Sequence, residues 1–133
     1  MRMIFVNLPV KDLDRAGAFY KGLGFSFNPQ FSDDKATCVV IDDNIFVMLL
    51  TEEFFQTFIN GEISDATRTT EVLNALSADS REEVDDLLAR ALASGGKEWK
   101  PVHQDGPMYG GSFQDPDGHV WEVLHMDMSQ SPA

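Results

Sequence analysis

The stretch Phe113-Gln114-Asp115-Pro116-Asp117-Gly118-His119-Val120-Trp121-Glu122-Val123-Leu124-His125-Met126 decides the fold. Asp115-Pro116-Asp117-Gly118 signals a tight turn: proline presets φ, aspartate bonds nearby backbone, and glycine accepts positive φ. Beyond the turn, residues alternate as in a strand, with Val120, Glu122 and Leu124 on one face and Trp121, Val123 and His125 on the other. A carboxylate inside an apolar strand face is costly unless it is paired, hydrogen-bonded or bound to a cation. Glu122 is therefore the first candidate for function.

Working outward, the chain states one pattern twice. Met3 to Leu8 is a strand, and Asp12 caps a helix whose buried stripe is Leu13, Ala16, Phe19, Tyr20 and Leu23. Phe25, Phe27 and Phe31 alternate with polar residues as a second strand, and Thr37–Ile41 and Ile45–Leu50 form two more across Asp42-Asp43-Asn44. Thr70–Leu76 opens the second copy. Ser80-Arg81-Glu82-Glu83 is a capping box, and Val84, Leu87, Leu88, Ala91 and Leu92 follow at helical spacing until Gly95-Gly96. Lys97–Val102, Tyr109–Gln114 and His119–Met126 complete it. The reading is an α+β fold of two β-α-β-β-β modules, residues 1–50 and 70–127. Residues 51–69 link them, with Phe54, Phe55, Phe58 and Ile59 at helical spacing as core or dimer contacts. Residues 128–133 are a tail. His103–Gly111, rich in glycine and proline, reads as a loop able to act as a lid.

Composition removes several function classes. The 133 residues hold 10 Lys and Arg against 22 Asp and Glu, a net charge of −12. That balance argues against nucleic acid and anionic membrane as partners. The longest apolar run, Ile45–Leu50, is too short to span a bilayer, and the N-terminus lacks the apolar length of a signal peptide. A single cysteine, Cys38, lies in an apolar run and suits a reducing compartment, so a cytoplasmic protein with a buried structural thiol is expected.

Paired β-α-β-β-β modules ending in D-P-D-G-H-x-W-E resemble the vicinal oxygen chelate superfamily of glyoxalase I, extradiol dioxygenases, and fosfomycin and bleomycin resistance proteins. Val10–Phe25 (V-K-D-L-D-R-A-x-x-F-Y-x-x-L-G-F) and Leu76–Asp79 (L-S-A-D) extend the likeness, which covers Ile4–Leu50 and Thr70–Asp127. More narrowly, the chain resembles bacterial predicted lactoylglutathione lyases. The resemblance implies mixed sheets curved around a cavity for a small molecule, a homodimer, and metal ligands on the first and fourth strands of each module. Those places fall on Phe5, on Leu49 or (one register away) Met48, on Leu73, and on Glu122. Only Glu122 matches a family ligand, so the usual divalent metal is not expected. The three histidines have no ligand spacing that would replace it.

Asn7, two residues beyond Phe5, and Tyr109 at the edge of the expected lid would add polar handles to an apolar pocket. Glu122, flanked by Phe5, Leu49 and Leu73, is expected to have a raised pKa and to serve as general acid or base in a lyase or isomerase reaction. The alternative is a metal-independent binding protein of the drug-sequestering kind. A third reading gives the phenylalanine-rich linker a protein partner.

Overall fold

The computed structural model describes residues 1–127 and 129; the rest of the expected tail lies outside the described residues. Two compact units are present, Met1–Asp65 and a second from Ala66 onward. Each contains one four-stranded mixed sheet and the helix that crosses between its first two strands.

The first unit runs β1 (Ile4–Val10), α1 (Leu13–Gly22), β2 (Ser26–Asn28), β3 (Ala36–Asp42), β4 (Ile45–Thr51) and the short α2 (Glu52–Gln56), with sheet order β1-β4-β3-β2. β1 and β4 are parallel, and the other pairs are antiparallel. Asp12 caps α1 by accepting the Arg15 amide at 3.0 Å. Ala16, Phe19, Tyr20 and Leu23 are buried, the stripe expected from helical spacing. That stripe meets β3 and β4, where Val39, Val47 and Leu49 are fully buried. The alternation that predicts one strand from Phe25 to Phe31 breaks at Pro29. A 3-10 turn, Pro29–Phe31, follows three residues of β2, because proline has no amide for the ladder.

The second unit runs β5 (Leu73–Ser77), α3 (Arg81–Ala93), β6 (Lys97–Asp105), β7 (Met108–Gln114) and β8 (Val120–Met126), in the order β5-β8-β7-β6. Ser80 caps α3 by accepting the Glu83 amide at 3.0 Å. Val84 and Ala91 are buried, whereas Leu92, placed on the buried stripe by spacing, is half exposed. The β7–β8 turn forms as read: Asp115 Oδ1 accepts the amides of Asp117 and His119 at 3.0 and 2.9 Å, and Gly118 takes φ +92°.

The expected lid is corrected by the sheet. His103–Gly111 is not a loop; β6 and β7 run through it, and only Gly106-Pro107 turns, with Gly106 at φ +60°. Glycine and proline suggested an irregular segment, but here they mark a hairpin turn and irregular pairing. β6 carries two register shifts, between Glu98 and Lys100 and between Lys100 and His103. The linker forms only the short α2, and Phe58 beyond it is exposed while its ring meets Phe54 edge-on at 4.9 Å. Among the described residues no helix is long and apolar enough to cross a membrane.

Candidate functional site

Strand pairing sorts the predicted residues onto faces. In the first unit Phe5 pairs with Phe46, Asn7 with Met48, and Leu8 with Leu49. Paired residues share a face, and neighbours along a strand do not. Phe5, Asn7, Phe46 and Met48 therefore occupy one face, while Leu49 points to the other with Val47 and Val39. Leu49 is fully buried there. Met48, rather than Leu49, shares the face of Phe5 and Asn7.

On the face away from α1, the end nearer α2 is closed: Leu50 and Ala36 are buried. The other end is open. The rings of Phe5 and Phe46 stack there with centroids 4.9 Å apart and planes 13° from parallel, and Phe5 is 42% exposed. Asn7 is exposed beside them and donates its side-chain amide to the Phe5 carbonyl at 3.2 Å. Cys38, opposite Met48 on β3, is fully buried, and burial pushes its thiol pKa up. A thiol in that state packs rather than attacks.

In the second unit Leu73 pairs with Val120 and Ala75 with Glu122. These four residues hold the positions that Phe5, Phe46, Asn7 and Met48 hold in the first. Glu122 is half-buried, and Leu73 is 49% exposed. Across the sheet Ser112 stands opposite Glu122 on one side and Lys100 on the other, and its hydroxyl oxygen accepts the Lys100 amide at 3.0 Å. Among the described residues, no side chain bonds or ion-pairs with the Glu122 carboxylate.

The opposite face of this sheet carries α3. A Cβ on Gly111 would lie 2.9 Å from Leu88 Cδ1, which shows that this face meets the helix, and Val123 pairs with Gly111. Tyr109 belongs to the same face. Its hydroxyl donates to Asp85 Oδ1 at 2.5 Å, and the Arg81 guanidinium lies 5.2 Å from its ring centroid. Tyr109 is thus held against α3 and does not accompany Glu122, contrary to the sequence expectation. The hydrogen bond to Asp85, followed by desolvation, holds the Tyr109 hydroxyl above its ordinary pKa.

Do these residues fit a divalent metal? The positions at which the family resemblance places metal ligands hold Phe5 and Met48 in the first unit, and Leu73 and Glu122 in the second. Phenyl and alkyl groups offer no lone pair, and a thioether is a poor ligand for a hard cation. His125 Nδ1 is hydrogen-bonded to the Ala78 carbonyl at 3.0 Å, and His103 pairs with Gly110 on the exposed strand β6. Among the described residues no group of three or more His, Cys, Asp or Glu could hold a metal ion. The donor set does not fit the group.

Sequence reasoning missed Phe46, Ser112 and Lys100. Phe46 was legible as the residue two before Met48. Lys100 was hidden by the bulges in β6, which break simple alternation.

The family described as bleomycin resistance protein-like N-terminal matches residues 2–42. A hypothetical protein of S. aureus is 30% identical, with 94% of each chain covered and a TM-score of 0.80. A glyoxalase/bleomycin resistance protein/dioxygenase family enzyme from Burkholderia phytofirmans is 18% identical over 95% of this chain and 99% of that one, with a TM-score of 0.78. A fosfomycin resistance protein from Listeria monocytogenes is 22% identical over 98% and 97%, with a TM-score of 0.68. No curated protein matches the chain. The chain therefore has the fold of the glyoxalase/bleomycin resistance/dioxygenase proteins, and its residues 2–42 match the bleomycin resistance protein-like N-terminal family.

Proposed function

We propose that the protein binds a small aromatic or amphiphilic molecule on the open face of the first unit's sheet, without the divalent metal usual in the superfamily. The observation that carries this reading is the Phe5–Phe46 stack, its Phe5 ring exposed and its Phe46 ring half-buried, beside Met48 and Asn7. Two parallel rings offer a flat apolar platform, a thioether adapts to irregular shapes, and an amide fixes orientation. The family model that matches residues 2–42 and the fosfomycin resistance protein of like fold are both named for drug resistance, which supports a drug-like ligand. The lone buried thiol of Cys38 supports a reducing, cytoplasmic location.

The test uses metal-stripped protein titrated with 8-anilinonaphthalene-1-sulfonate, followed by competition with bleomycin. Saturable fluorescence that bleomycin displaces, with a rise in melting temperature, is the expected result. Binding that appears only after a divalent metal is restored would overturn it.

A second reading rests on Glu122. Its carboxylate has no bonded side-chain partner among the described residues, which leaves it free to exchange a proton with a bound molecule as general acid or base in a lyase or isomerase reaction. Turnover surviving intact in Glu122→Gln would remove that role.

A further inference from the structure

We propose that the second unit carries a separate site, between α3 and β6, for a small neutral alicyclic molecule, one six-membered ring in size. A hollow of about 160 Å³ lies there, with Leu88, Ala89 and Leu92 on the helix side and Val102 on the strand side. Its origin is physical. β6 spends nine residues beside the seven of β7, and two register shifts take up the excess and bend the strand. Gly111 faces the second shift, and a Cβ there would come within 2.9 Å of Leu88 and 3.2 Å of Val102. Helix and strand close together over that glycine, and the hollow lies beside their contact. The consequence shows on α3. Val84 and Ala91 of its apolar stripe are fully buried, yet Leu92 on the same stripe is 50% exposed, and Val102 across the hollow is 40% exposed. Both lips leave apolar surface to water, and an apolar guest would cover it.

Size and the character of the wall define the occupant. An enclosed apolar cavity of about 150 Å³ takes up benzene, so this hollow suits a single ring. The wall is almost wholly apolar. Glu98, Lys100 and Ser112 complete it, but the Ser112 hydroxyl oxygen already accepts the Lys100 amide at 3.0 Å. The Lys100 ammonium lies away over the Trp99 ring, 5.8 Å from its centroid. A charged guest would lose hydration on entering and find little to replace it, whereas a hydrocarbon gains from each patch of apolar surface covered. The lining holds no aromatic ring to stack on, which separates this site from the platform of the first unit. Cyclohexane is the fitting representative.

Carbon-edited methyl spectra of the whole protein, titrated with cyclohexane, test this. Saturable shifts of the Leu88, Leu92 and Val102 methyl signals are expected, with those of Val39 and Val47 in the first unit unmoved. Cyclohexanecarboxylate and cyclohexylammonium should each bind at least about tenfold more weakly. Ala89→Leu, at an exposed helix position where leucine is a good helix former, should fill the hollow and abolish the Val102 shift. The same variant should bind anilinonaphthalene sulfonate on the first unit as before. No saturable shift at the three residues, a charged analogue that binds as tightly, or a Val102 shift that persists in Ala89→Leu would each overturn the proposal.

Discussion

The two units solve one structural problem with the same parts and then diverge at four positions. Each covers one face of its sheet with a helix capped at equivalent places, Asp12 and Ser80. On the other face the first unit shows Phe5, Asn7, Phe46 and Met48, and the second shows Leu73, Ala75, Val120 and Glu122. Burial fixes the helix-covered side, since a polar group there would be desolvated without compensation. The open side is free to vary, and the candidate residues Asn7 and Glu122 sit there. One copy kept a carboxylate and the other took an aromatic stack, so neither offers the ligand set of a metal centre.

If the units are equivalent scaffolds, removing one large buried aromatic from each should hurt comparably. Phe19→Ala in the first and Trp121→Ala in the second should each lose about 3–5 kcal/mol in urea unfolding. A loss confined to one would break the equivalence. The β-turns should differ more. Gly118 sits at φ +92°, and an added Cβ would come within 2.8 Å of the Ala66 and Thr67 backbone, so Gly118→Ala should cost about 1–3 kcal/mol. Asp43, in the corresponding turn of the first unit, is exposed, and alanine there should change stability by less than about 0.5 kcal/mol. The caps return to symmetry: Asp12→Ala and Ser80→Ala should each cost about 1 kcal/mol by the same measurement.

Much of this was legible because it rests on local physics. Asp12, Ser80 and the Asp115–Gly118 turn are capping and turn chemistry, readable within four residues. The face of Met48 against Leu49 was not readable, because a one-residue slip reverses every side chain and only pairing with Phe5 and Asn7 fixes it. Tyr109 was misplaced for a related reason. Its neighbours Gly110 and Gly111 suggested a loop, whereas pairing with His125 puts it on the α3 face, where Asp85 holds it. Glu122 was found from its pattern alone, but its row with Ser112 and Lys100 required the bulged register of β6.

The smallest expected effect belongs to Tyr109. Its pKa is raised in the folded chain, chiefly by the bond to Asp85, so the neutral form is favoured. The associated stability is present below the unfolded tyrosine pKa, about 10, and is lost as pH rises through the folded value. Alkaline titration of tyrosinate absorbance should show a late-ionising group that Asp85→Ala shifts down and Tyr109→Phe removes.

The most direct test of the central claim is the affinity of metal-stripped Phe46→Ala for 8-anilinonaphthalene-1-sulfonate, beside that of the unsubstituted protein. Loss of half the ring platform should weaken binding by about tenfold, with no change on adding zinc or nickel. Equal affinity in the variant, or binding that requires the metal, would contradict a metal-independent aromatic site on the first unit.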